Sequence, residues 1–197
     1  MSVIFNHILT RISEWPTAGL NSLIAESECE GFRFVRRAFD DWHSGTNQFS
    51  HEGEALFGVF EHKRILAIGG INRATKDSGR LRRVYVQREE RGKGVGKHLV
   101  QHILCFAGGY YSRVVLRCDT DAADSFYRAL GFAQVHDETQ ITHVFDLRSM
   151  LNQQVAFGHA RQPDLPMGAP ASPETGRSRP GFSEAVPDSP AIVPSRQ

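Results

Sequence analysis

The chain has 197 residues, 40% of them hydrophobic, with 23 Lys and Arg against 22 Asp and Glu for a formal net charge of +1. That length buries one proper core, and the near-neutral balance excludes the basic bias of a nucleic-acid binder or a membrane-surface protein. No apolar run reaches the ~18 residues of a membrane span, and the N-terminus lacks a basic start, apolar stretch and cleavage site, so a cytoplasmic protein is expected.

In chain order, residues 2–9 read as a first strand and residues 18–28 and 32–42 as two helices. Strands are expected over 55–61 and 65–71, joined through the turn at His62-Lys63, with a fourth over 81–86. Residues 95–107 form the clearest helix: Val95, Leu99, Val100, Ile103, Leu104 and Ala107 share one face, and Gly108-Gly109 ends it. A strand over 113–118, a helix over 122–130 capped by Gly131, and a hairpin of 133–136 with 141–147 complete the pattern. This order argues for an α/β fold, a mixed sheet with helices on both faces.

Composition changes after residue 147, and eight of the nine prolines lie beyond residue 160. Such a segment buries too little apolar surface to offset its ordering entropy. Residues 1–150 are therefore expected to form the domain and 151–197 a disordered tail. The three cysteines, Cys29, Cys105 and Cys118, have no metal-like spacing and are expected as reduced core or near-core thiols. His98 and His102 stand at i and i+4 without an intervening acid, so no metal site is expected.

Arg91-Gly92-Lys93-Gly94-Val95-Gly96 lies between an expected strand and an expected helix. Unpaired amides and a partial positive charge at a helix N-terminus stabilise a phosphate, and glycines admit close backbone approach. A Walker A loop is excluded, because Gly96-Lys97 has Arg91 where glycine is required and His98 where Ser or Thr is required. A dinucleotide fingerprint fails at Lys97.

What remains, Arg91, Gly94 and Gly96 in the pattern Gln/Arg-x-x-Gly-x-Gly/Ala, resembles the acetyl-CoA loop of the GCN5-related N-acetyltransferases, the GNAT superfamily. Downstream, Ala123 followed by Phe126-Tyr127 and then Gly131-Phe132 is similar to that superfamily's late motif. The resemblance implies a mostly antiparallel twisted sheet in which two parallel strands, 81–86 and 113–118, splay around the pantetheine arm of acetyl-CoA. The backbone of Val84, Tyr85 and Val86 would pair with the pantetheine. Gly92, Gly94, Val95, Gly96 and Lys97 would hold the pyrophosphate, with charge from Arg91 and Lys93, and Phe126 would line the cofactor. Thr120, standing where many members carry asparagine, would be a further cofactor contact.

The resemblance also implies an N-acetyltransferase moving an acetyl group from acetyl-CoA to a primary amine by direct attack. Tyr127 would donate a proton to the departing sulfur; an ordinary phenol pKa near ~10 and a thiol near ~8.5 make that transfer close to thermoneutral. Tyr127 with Ala123, Phe126 and Leu130 also forms a helical stripe that packing alone explains. Glu52, Glu54 and His51 form the densest set of proton acceptors, and Glu54 is the candidate base. Arg82, with Arg80, Arg83 and Arg117, is the candidate contact to an anionic acceptor, and Glu52 is a second candidate substrate contact. Strand alternation would put Arg82 and Val84 on one face and Arg83 and Tyr85 on the other. The expected partner is an amine-bearing acceptor, a small molecule or a protein, without membrane or nucleic acid; a homodimer stays open. A catalytically silent acyl-CoA-binding sensor or scaffold is the rival function.

Overall fold

The computed structural model describes residues 7–15, 17–136 and 140–148. The chain divides into two compact units, Met1–Arg161 and Gln162–Gln197, and every described residue belongs to the first. The expected tail and the first five residues of the expected opening strand lie outside the described residues.

The elements are β1 (Ile8–Arg11), α1 (Thr17–Cys29), α2 (Phe34–His43), β2 (Ala55–Glu61), β3 (Arg64–Arg73), β4 (Ser78–Val86), a 3-10 turn (Arg88–Glu90), α3 (Val95–Ala107), β5 (Arg113–Leu116), α4 (Asp121–Ala129), β6 (Ala133–Gln134) and β7 (His143–Asp146). Seven strands make one sheet in the order β1-β2-β3-β4-β5-β7-β6. Every pairing is antiparallel except that of β4 with β5.

The sheet is buried on both faces. On one face α3 sets Leu99, Val100, Ile103 and Leu104 against Phe57, Ala67 and Ile71, and Tyr127 of α4 joins the same cluster. On the other, Leu20, Leu23 and Ile24 of α1 and Val35 and Ala38 of α2 cover Leu56, Ile65, Ile68 and Tyr85. Each fully buried aliphatic side chain stabilises the fold by about 1.5–3 kcal/mol. Residues 65–72 of β3 are buried without a break because helices lie on both sides. Gly69 sets the closeness of α3 to the sheet: a Cβ there would stand 3.1 Å from Ile103 Cδ1 and 3.2 Å from Leu99 Cδ2.

Three expectations are corrected. Where it is described, the opening strand runs on to Arg11 rather than ending at Leu9, since Ile8–Arg11 pair with Phe57–Phe60 of β2. Cys29 and Cys105 are exposed rather than in the core, and only Cys118 is half-buried, because Cys105 sits on the outward face of α3 and Cys29 at the end of α1. Strict alternation also fails in β4. Between Ile68 and Gly70 of β3 the partner strand steps from Tyr85 to Arg82, so β4 carries one extra residue, and Arg83 takes a φ of 61°. Such a bulge locally re-aims side chains. Arg83 consequently pairs with Asp41 of α2, and Arg82 lines a cavity with Asn47 and Asn72.

Candidate active site

The parallel pair β4–β5 is short. Ser78, Gly79 and Arg80 pair with Arg113, Val114 and Val115, and beyond that register β4 runs on to Val86 without β5 beside it. The strand edge from Leu81 to Val86 that faces β5 is therefore left open to accept another extended chain.

That open edge leads to the glycine loop. Gly92 and Gly94 have φ of 77° and 88°, values open to glycine and costly for a branched residue. Gly94 is the N-cap of α3 and supplies no side-chain cap, so the first-turn amides remain available to an anion. The end of β4, the start of α3 and α4 meet here: a Cβ on Gly96 would lie 3.1 Å from Val86 Cγ2 and 3.4 Å from Phe126 Cζ. Four expected cofactor residues, Val86, Gly94, Gly96 and Phe126, are thus brought together, and Lys97 is exposed on the first turn of α3.

The loop cations are engaged differently from expectation. Lys93 Nζ lies 3.3 Å from Glu90 Oε2. Arg91 forks onto Glu30, just past the end of α1, donates to the Val86 carbonyl at 3.1 Å, and stacks 5.4 Å over the Tyr85 ring. Arg88 Nε reaches Glu30 at 2.9 Å, and Tyr85 Oη lies 3.0 Å from Glu30 and 3.1 Å from Glu26. Each loop cation is thus matched by an acid, and an arriving anion meets backbone amides first. The Tyr85 side chain turns to the α1 and α2 side, which leaves only its backbone for a cofactor.

Hydrogen bonds from Arg91, then Tyr85 and Arg88, hold the Glu30 carboxyl down to about 2 against the opposing effect of burial. A carboxyl lowered on folding contributes stability that is full above its unfolded value of about 4.3 and fades as pH falls through the folded one. Glu30→Gln is expected to cost about 1–2 kcal/mol at pH 7, a figure discounted because both arginines are solvent-exposed. Urea unfolding should show that deficit shrinking as pH falls from about 5 toward 2; a deficit independent of pH would deny the pairing.

Tyr127 lies on α4, whose N-cap Thr120 accepts the Ala123 amide at 3.3 Å through Oγ1. Thr120 therefore serves the helix with the oxygen expected to face the cofactor. Tyr127 is 9% exposed, with ring centroids 5.1 Å from Phe126, 5.5 Å from Phe132 and 6.3 Å from His143. Burial pushes its phenol well above the ordinary range. The proton is thus firmly held, and complete transfer to a thiolate is less favourable than the near-thermoneutral exchange expected from the sequence.

A polar cavity of about 280 Å³ opens beside the splay, lined in part by Asn47, Ser50, His51, Glu54, Asn72 and Arg82. Arg82 is the second β4 residue beyond the last β5 pairing, which places the cavity at the mouth of the gap. Glu54 is 8% exposed, and its Oε1 accepts the Arg73 amide at 2.9 Å. Asn47 and Asn72 exchange amide hydrogen bonds of 3.0 and 3.1 Å. Desolvation first, then Arg80, pushes the Arg82 guanidinium down from its usual value. Arg83 pairs with Asp41 at 2.7 Å, and Arg117 is exposed and lies 3.1 Å from Asp119. Glu52 is exposed and does not line the cavity; its carbonyl accepts from Arg73 at 3.1 Å. Asn47, Asn72 and Asp41 carry no sequence signal, since their partners stand 25 or more residues away.

Residues 17–132 match the profile of the Acetyltransferase (GNAT) family. Among solved structures, a protein from Exiguobacterium sp. 255-15 assigned as an acetyltransferase is 31% identical with a TM-score of 0.67, the match covering 75% of this chain and 98% of that one. An acetyltransferase of the GNAT family from Staphylococcus aureus Mu50 shares the fold at 15% identity and a TM-score of 0.57, covering 71% of this chain and 99% of that one. A mutant of the AtaT toxin, solved with the C-terminus of the antitoxin AtaR and acetyl-CoA, shares it at 15% identity and a TM-score of 0.58, covering 77% and 98%. No curated protein matches the chain. The glycine loop, the parted β4–β5 pair and a family match over more than half the length agree: this chain belongs to the GNAT family of acetyltransferases.

Proposed function

We propose that the protein transfers an acetyl group from acetyl-CoA to a primary amine by direct attack of that amine. The observation that carries this reading is the continuous path from the open β4 edge to the uncapped, glycine-flanked N-terminus of α3. An extended amide-bearing arm fits the first, and a pyrophosphate fits the second. The acetyl-CoA in a structural neighbour, the AtaT complex, supports the same cosubstrate.

Tyr127 then stands beside the sulfur. Because burial holds its proton, the phenol stabilises the leaving thiolate as a hydrogen-bond donor, with full proton transfer completed as the product is rehydrated. The acceptor enters by the polar cavity. The Arg73 amide fixes one Glu54 oxygen, and the other takes the ammonium proton directly or through a water. Arg82 binds a carboxylate or phosphate on the acceptor, and its partial desolvation strengthens that contact. The catalytic unit is residues 1–150, working in the cytoplasm, with 151–197 as a dispensable extension.

The test is release of CoA thiol from acetyl-CoA over a panel of amines, amino acids, polyamines and peptides. Turnover with an anionic amine is expected. Arg82→Ala should raise KM for such amines about ten- to hundred-fold and leave KM for acetyl-CoA within two-fold. Tight acetyl-CoA binding without turnover on any acceptor would favour a silent sensor. A rise confined to the KM of acetyl-CoA would remove Arg82 from the acceptor site.

A further inference from the structure

Behind Tyr127 three side chains outside this machinery stand in line. His143, the first residue of β7, has a side chain 1% exposed. Its Nε2 lies 3.0 Å from Asp124 Oδ1 on α4, and its Nδ1 lies 3.5 Å from Cys118 Sγ and 3.0 Å from Thr142 Oγ1. A carboxylate only accepts, so Nε2 carries the ring proton and Nδ1 presents its lone pair. Thr142 Oγ1 accepts the Cys118 amide at 3.0 Å and lies 3.7 Å from its sulfur; its own proton can turn to the Leu116 carbonyl at 3.5 Å. Rotation of that hydroxyl from Nδ1 to the carbonyl opens Nδ1 to the thiol 3.5 Å away. The other Asp124 oxygen is 3.8 Å from Arg128 Nη1.

Thiol, imidazole and carboxylate in this order make an activated nucleophile. A metal does not account for them. The thiol and the carboxylate sit on opposite sides of the ring, and no group of three ligands with metal-holding geometry occurs among the described residues. Nor is Cys118 sealed in the core: it is half-buried and lines an open cavity of about 280 Å³ with Thr120, Asp124 and His143. It lies two residues beyond β5, where that strand has parted from β4, and packs against the cluster that contains Tyr127.

We infer that Cys118 is a site of S-acylation by a short-chain acyl thioester, with His143 as its base and Asp124 as the residue that positions the base. The inference rests on the acetyl-CoA reading for its natural donor. The Cys118 S–H proton passes to His143 Nδ1 as the sulfur attacks the thioester carbonyl. A new carbon–sulfur bond forms, the bond to the donor sulfur breaks, and the departing thiolate recovers the proton from His143. Thiol plus thioester becomes thioester plus thiol, so no oxidant or reductant is needed, and the exchange is close to thermoneutral because the two thiols are alike. Burial pushes the Cys118 thiol up, so it rests protonated and needs the base at the moment of attack.

The full chain is incubated with acetyl-CoA in the absence of amine, quenched in acid, and its peptides weighed before and after hydroxylamine. A second arm uses the acetyl thioester of N-acetylcysteamine, which carries no nucleotide. Exposed Cys29 and Cys105 serve as internal standards. Cys118 should gain a hydroxylamine-labile acetyl group at least ten-fold faster than either. Asp124→Asn should slow that gain ten-fold or more and Asp124→Glu restore it, with thermal melting confirming that both fold; free imidazole should rescue His143→Ala. Labelling of Cys118 no faster than of Cys29 in either arm overturns the inference, and leaves the acetyl-CoA reading standing if acetyl-CoA still binds. Rapid labelling by the small thioester in a protein that does not bind acetyl-CoA upholds the nucleophile and removes the acetyl-CoA reading.

Discussion

Tyr127→Phe is expected to keep its fold and its affinity for acetyl-CoA and to lose about ten- to hundred-fold in kcat. The substitution removes one oxygen and keeps the ring that packs on Phe126 and Phe132. On the proposed mechanism the lost hydroxyl is the group that donates to the departing sulfur in the transition state, so kcat and kcat/KM should fall together. A hundred-fold loss equals about 2.7 kcal/mol of barrier, within what one hydrogen-bond donor supplies in a water-poor site. Steady-state CoA release read beside acetyl-CoA calorimetry decides the matter. An unchanged kcat would reduce Tyr127 to a packing residue of α4.

The largest loss of stability is expected from Ile103→Ala, about 3 kcal/mol. Ile103 is 0% exposed on the inner face of α3. The vacated volume faces Gly69, which has no side chain to move into it, and Leu99, already packed against the same spot. Poor relaxation of this kind places a truncation well inside the range for buried aliphatic residues. For a domain of this size the melting temperature should fall by about 6–12 °C. Urea unfolding with an unchanged m-value would confirm a simple loss of packing, and a deficit under about 1 kcal/mol would show that α3 can settle onto the sheet.

The features legible in the sequence are local ones. The apolar stripe of α3 and the glycines of residues 92–96 occupy a few consecutive turns, and a period or spacing records them; all six residues of that stripe are buried. The cofactor half of the site, including Phe126 and Tyr127, is read from the same kind of short pattern. The acceptor half is not. Glu54 stands out only as an acid near a strand start, and its burial comes from contacts remote in sequence: the Tyr111 hydroxyl bonds the neighbouring Gly53 carbonyl at 3.0 Å and the Arg73 amide bonds the Glu54 carboxylate at 2.9 Å.

The bulge at Arg83 shows where periodicity stops being informative. One extra residue in β4 changes which face every later side chain takes, and it is set by pairing with β3, not by any local preference for a φ of 61° in an arginine. Long-range partners behave alike: Glu30 meets Arg91 across 61 residues, and His143 meets Asp124 across 19.

By itself, then, the sequence determined the order of strands and helices, the glycine loop before α3 and the family resemblance, because each is written in contiguous residues of characteristic spacing. Tertiary structure alone decided which cations stay free, which carboxylates are buried, and which thiol receives a base. Those outcomes depend on distances between elements far apart in the chain, and burial and pairing, which set charge and reactivity, exist only once the elements have packed.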